Sequence, residues 1–156
     1  MIAQPGPEEA LDKVFELAVR LIDAMQRRLG ERGLTGSQAE VLLVLDREGD
    51  VVQRRLSESL RCTPRYVTVL VDALEAEGLV SRRAHPTDRR ATLVSLTRAG
   101  TAAAARMNEE RRLAAQWLLG DVPAARLGAF VAVADQLLER TAAAGGAPGT
   151  EAEQER

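Results

Sequence analysis

This chain is short of aromatics, cysteine, histidine and long apolar runs, and each shortage removes a class of protein. Two phenylalanines, one tyrosine and one tryptophan (Phe15, Phe130, Tyr66, Trp117) are the only aromatic rings of this kind in 156 residues, so the core is made from Leu, Val and Ala. That mix favours helix. The single cysteine, Cys62, excludes a disulfide framework, and with the single histidine, His85, it excludes a zinc cluster. No apolar stretch approaches the roughly 20 residues that a bilayer span requires. No phosphate-cradling glycine loop, nucleophile elbow or zinc-helix motif occurs. No cofactor, no metal, no membrane partner and no catalytic centre are therefore expected, and a small enzyme is the weakest reading. The first residues, Met1 to Pro7, lack the basic and apolar regions of a signal peptide, so the expected location is cytoplasmic.

Positive charge is present in one place. Residues 53–98 hold nine arginines against five acids, although the whole chain has a net charge of −2. A local basic excess of this kind neutralises phosphates, while the acidic remainder limits indiscriminate binding.

Apolar spacing orders the chain. Residues 1–7 read as a flexible arm. Apolar side chains at 11, 14, 15, 18, 22, 25 and 29 put one broad stripe on a helix, and 8–34 is expected to be an N-terminal dimerisation segment. Thr35 caps a second helix to about Glu48, with Val41, Leu42 and Leu45 inward. A short helix follows from about Gln53 to Leu60. Thr63 and Pro64 then open a fourth helix that buries Val67, Leu70, Val71 and Leu74 and stops at Gly78. Leu79–Ala84 and Ala91–Leu96 flank a charged tip and read as a β-hairpin. Thr97 caps a long helix to about Leu119, and a last helix runs from about Pro123 to Ala142.

The expected fold class is mainly α with a small β-hairpin wing: a winged helix-turn-helix lobe over 35–97, with C-terminal dimerisation helices over 98–142 and a disordered tail over 143–156. The stripes on the end helices are too wide for so small a centre to cover. A second copy of the same chain is the expected cover, so the partner is itself, as a homodimer.

In a helix-turn-helix the N-terminal turns of the second helix enter the major groove. Here that end carries Thr63, Arg65, Tyr66, Thr68 and Val69. Arg65 can grip a guanine edge with two hydrogen bonds, and Tyr66 offers a hydroxyl and a ring. Arg82, Arg83, Asp88, Arg89 and Arg90 form the expected DNA-binding wing, with an arginine reaching the minor groove and Asp88 steadying it. Gln53, Arg54 and Arg61 are expected on phosphates. Cys62, beside Arg61 and Arg65 near a helix start, has the setting of a reactive thiol, though packing is the commoner role for such a residue. His85 at the hairpin tip is expected on the surface or on a phosphate.

Three motifs carry a family resemblance: Leu74-Glu75-Ala76-Glu77-Gly78-Leu79-Val80-Ser81-Arg82, then Asp88-Arg89-Arg90, then Leu96-Thr97-Arg98-Ala99-Gly100. In this order and spacing the chain resembles the MarR family of dimeric transcription regulators. The resemblance implies a homodimer on double-stranded, pseudo-palindromic operator DNA, with the first and last helices of both subunits intertwined. It implies a repressor released by a small effector, often aromatic or phenolic, held between the dimer helices and the DNA-reading lobe. By motif position, Arg90 resembles the wing arginine of the minor groove and Asp88 the acid beside it. Val69 and Tyr66 depart from the family's usual recognition helix, so the operator sequence does not carry over. The alternative is a winged-helix ligand-sensing or protein-interaction dimer without DNA binding.

Overall fold

The computed structural model describes residues 5–88 and 91–144. Arg89, Arg90 and the expected tail from 145 onward lie outside the described residues, as do the first four residues of the expected arm. Six helices and three strands occur among the described residues: α1 (Pro7–Gly30), α2 (Gly36–Glu48), β1 (Val51–Val52), α3 (Gln53–Ser59), α4 (Pro64–Ala76), β2 (Val80–Ala84), β3 (Thr92–Leu96), α5 (Arg98–Leu119) and α6 (Ala124–Ala144). The mainly α class with a β-hairpin wing holds. The strand β1, which sequence reading missed, joins the hairpin to make a three-stranded antiparallel sheet of order β1-β3-β2. Val51 pairs with Val94, and Val80 pairs with Leu96.

The chain divides into two compact units, Met1–Glu109 and Glu110–Arg156. The core of the first is built by the apolar stripes of α2, α3 and α4 closing on the small sheet. Val41, Leu42, Leu56, Val67, Val71, Leu74 and Val94 are fully buried there. Helix α2 starts at a capping box, in which the Thr35 hydroxyl accepts from the Gln38 amide and the Gln38 side chain accepts from the Thr35 amide. Helix α1 buries only Leu29 of its own residues and leaves Leu11, Phe15, Ile22 and Met25 exposed. In the second unit, Trp117 of α5 and Phe130 and Leu138 of α6 are likewise exposed.

One turn chemistry closes three helices. Gly78 has φ of 70°, its N–H donates to the Glu75 carbonyl, and the Leu79 N–H donates to the Leu74 carbonyl. This is a Schellman close, with glycine in the left-handed position and an apolar pair, Leu79 and Leu74, across it. Gly33 and Leu34 end α1 in the same way on Gly30 and Leu29. At the end of α3 the pattern repeats with Arg61, at φ 50°, on Glu58, and with Cys62 on Ser57. An arginine therefore stands where glycine is the unstrained choice.

The third sequence motif has a mechanical basis in the same region. The Thr97 N–H donates to the Leu79 carbonyl at 3.1 Å, the Thr97 hydroxyl donates to the Gly78 carbonyl at 2.6 Å, and the Gly100 N–H donates back to the Thr97 hydroxyl at 3.1 Å. Gly100 is buried, and a Cβ there would sit 1.9 Å from the Leu79 carbonyl oxygen. Only a residue without a Cβ lets α5 start against the end of α4.

Two stability outcomes follow. Gly100→Ala forces a backbone shift and is expected to destabilise by about 1–3 kcal/mol, read as a lower urea midpoint. Arg61→Gly relieves the left-handed strain and is expected to stabilise by roughly 0.5–1 kcal/mol after the added freedom of the unfolded chain is subtracted; a lower melting temperature for this variant would show that the Arg61 backbone is not strained.

Candidate nucleic-acid interface

The N-terminal end of α4 is a free cationic tip. Thr63 caps the helix by accepting from the Tyr66 amide at 3.2 Å, and Pro64 takes the first helical position. Burial of Val67, Leu70, Val71 and Leu74 turns Arg65, Tyr66, Thr68 and Val69 outward. Arg61 and Arg65 are both exposed and form no ion pair or side-chain hydrogen bond among the described residues. The first-turn amides and the helix dipole add to their field, and together they favour an anion at this end.

Tyr66 and Val69 are 46% and 57% exposed, too open for core roles. The Tyr66 hydroxyl donates to the Ser37 hydroxyl at 3.2 Å, which sets the ring against the start of α2. Sequence reading missed Ser37; nothing in a polar residue at a helix start distinguishes it.

The other candidates among the described residues are engaged within the lobe. Gln53 donates to the Thr68 hydroxyl at 2.7 Å, and that hydroxyl donates to the Pro64 carbonyl at 3.0 Å. Arg82, expected on the DNA-facing wing, lies against α4, paired with Asp72 at 2.6 Å and Glu75 at 2.7 Å. Arg83 pairs with Asp50, which ties β2 to the segment leading into β1. Arg54 pairs with Glu58 at 3.3 Å on the open surface of α3, and such an exposed pair leaves the guanidinium available to a stronger partner.

At the wing tip, His85 Nδ1 accepts from the Thr87 and Asp88 amides at 3.3 and 3.2 Å, and the His85 N–H donates to the Ala91 carbonyl at 3.0 Å. His85 is thus a turn-former. Asp88 is engaged as well. The wing residues Arg89 and Arg90 lie outside the described residues. Cys62 is half-buried and packs against the core. Among the described residues, no group of His, Cys, Asp or Glu is arranged to hold a metal, and no single helix is long and apolar enough to cross a membrane.

The Asp50 carboxyl is held below its ordinary pKa by the neighbouring Ser95 hydroxyl and by the Arg83 guanidinium. Ser95 Oγ is buried without a hydrogen-bond partner among the described residues, and the Arg83 guanidinium anchors the carboxylate. A carboxylate with a lowered folded-state pKa stabilises fully above the ordinary value of about 4 and loses that contribution as pH falls through the lower folded value. Asp50→Asn is expected to be less stable than the parent above about pH 4, with the two acid-unfolding curves converging as pH falls through the lowered folded-state value. Curves that stay parallel through this range would contradict the anchoring role.

Residues 34–92 match the model of the MarR family. Over 88 residues the chain is 33% identical to the HTH-type transcriptional regulator MhqR of Bacillus subtilis, covering 56% of this chain and 61% of that protein. It is 28% identical over 99 residues to the HTH-type transcriptional repressor YetL of the same organism, covering 62% of this chain and 59% of that protein. The chain thus spans about three-fifths of the length of these curated relatives. The fold is similar to that of Streptococcus pneumoniae FabT, solved in complex with DNA, with a TM-score of 0.78 at 18% identity over 87% of this chain and 99% of that one. The matched segment contains the first two sequence motifs; the third, Leu96 to Gly100, lies outside it.

Proposed function

We propose, on the premise that residues 34–92 are a MarR-family domain, that the chain is a sequence-specific regulator of transcription that binds double-stranded operator DNA as a homodimer. The observation that carries this reading is the tip of α4, where Arg65 is unpaired among the described residues and sits beside exposed Tyr66 and Val69 at a capped helix start. That is the equipment for reading base edges in a major groove. The winged-helix likeness to a protein solved on DNA supports it, as do relatives named as a regulator and a repressor. The relatives named as a regulator and a repressor support a regulatory rather than an enzymatic activity.

The lobe over 35–97 reads DNA, and the helices over 8–34 and 98–142 hold two copies together. Phe15 is 63% exposed, Trp117 84% and Leu138 66%, and apolar residues exposed in such number on end helices call for a partner surface. A second copy places the two α4 tips one helical turn apart, about 34 Å, on a pseudo-palindromic site. Arg61 and Arg54 take phosphates, and the wing, with Arg89 and Arg90, takes the adjacent minor groove. The protein acts in the cytoplasm, where its operator is.

Release by an effector has a structural route. A cleft of about 180 Å³ is lined by Arg32, Leu34, Leu79, Ala103, Arg106 and Met107. Its apolar floor and two guanidinium groups suit a small aromatic acid or phenolate. Leu79 both lines the cleft and closes α4, so filling the cleft bears directly on the recognition helix.

The test is binding to the DNA upstream of the chain's own gene against random duplex. Wild type is expected to prefer the former, and Arg65→Ala to lose about 10- to 100-fold there, in line with 1–3 kcal/mol for a bidentate base contact. Its affinity for random duplex should change far less. Equal losses on both duplexes would remove Arg65 from base reading, and no binding by wild type would favour a ligand-sensing or protein-interaction dimer.

A further inference from the structure

Arg82 is the most fully engaged cation described on the DNA-reading lobe. It sits in the middle of β2, and its side chain is only 21% exposed. Its guanidinium meets the Asp72 carboxylate at 2.6 Å, the Glu75 carboxylate at 2.7 Å and the Thr68 carbonyl at 3.3 Å. Its backbone N–H also donates to Glu75 at 2.9 Å. Residues 68, 72 and 75 fall on one face of α4 by helical spacing, so a single planar fork lies along that face. Thr68 is also where Gln53 of α3 is fastened. The three elements that would meet DNA are therefore joined at one spot.

We propose that Arg82 is a positioning residue for DNA binding rather than a phosphate contact: it fixes the bearing of the wing on the recognition helix and discharges two carboxylates that would otherwise repel the duplex. The proposal rests on the DNA-binding reading. Its electrostatic half is direct. Asp72 and Glu75 are 60% and 41% exposed on the recognition helix itself, so any duplex entered by that helix lies within about one Debye length of them. Its geometric half follows from the fork. Three acceptors on two turns of α4 specify both the distance and the tilt of β2, which a lysine, a single point charge, does not.

Operator and random-duplex affinities, each across a range of salt, separate the roles. Arg82→Met is expected to lose at least tenfold on both duplexes and most of the preference for operator. Adding Asp72→Asn and Glu75→Gln to Arg82→Met removes the exposed acids. The triple variant is expected to recover random-duplex affinity and the wild-type salt slope while still lacking operator preference. Arg82→Lys keeps the charge and is expected to retain random-duplex affinity but lose preference; it serves if Arg82→Met does not fold. A triple variant whose salt slope stays lower by about one counterion would make Arg82 a phosphate contact. The proposal also falls if the Asp72→Asn, Glu75→Gln double variant binds operator more tightly than wild type, because a freed Arg82 would then be gripping DNA. It falls as well if every Arg82 variant binds like wild type. Failure of wild type to bind any duplex would instead overturn the underlying reading.

Discussion

The structure depends on a backbone latch where α4 ends and α5 begins. Gly78 offers its carbonyl to the Thr97 hydroxyl, Leu79 offers its own to the Thr97 amide, and Gly100 lets the two segments touch. Both ends of the hairpin are thereby pinned to the end of α4. The three motifs that carry the family resemblance are parts of this device. The first closes α4 through a left-handed glycine, the third opens α5 against that close, and the wing is the segment between them. Leu79 belongs to both sides of this device, through its N–H to the Leu74 carbonyl and its own carbonyl to the Thr97 amide.

A second constraint is the sorting of charge on the lobe. Its basic excess is not a diffuse field, because much of it is consumed by local pairs: Arg82 with Asp72 and Glu75, Arg83 with Asp50, and Arg55 with Glu48. The exposed pairs contribute little to stability one by one. Their effect is to leave Arg61 and Arg65, flanking the start of α4, among the cations with no such partner among the described residues. Binding energy for an anion is thus concentrated where the helix dipole also points. The strained backbone of Arg61 fits this pattern, since a glycine there would close α3 more comfortably but carry no charge.

Much of this was legible in sequence, for identifiable reasons. The buried face of α4, Val67, Leu70, Val71 and Leu74, follows from a period of 3.6 that nothing interrupts, and Thr35 and Thr63 are caps by residue type. Strand β1 was not legible. Two residues show no alternation, and Val51–Val52 becomes a strand only because β3 presents an edge. Arg82 was counted as a wing cation because sequence shows how many charges there are, not which acids they meet. Its partners lie seven and ten positions earlier on another element. The left-handed turn at Arg61 was hidden for the opposite reason, because arginine carries none of the signal that glycine does at Gly33 and Gly78. The wide apolar stripes of the end helices were legible from their spacing, and their large side chains are exposed in one chain.

The central claim is that the α4 tip of each of two copies reads bases in neighbouring major grooves. Methylation interference at guanine N7 on the upstream DNA tests it most directly, because that atom lies only in the major groove. The account predicts two clusters of interfering guanines, related by a twofold axis and about one helical turn apart. A bound complex indifferent to guanine methylation, or interference confined to one unrepeated cluster, would contradict it.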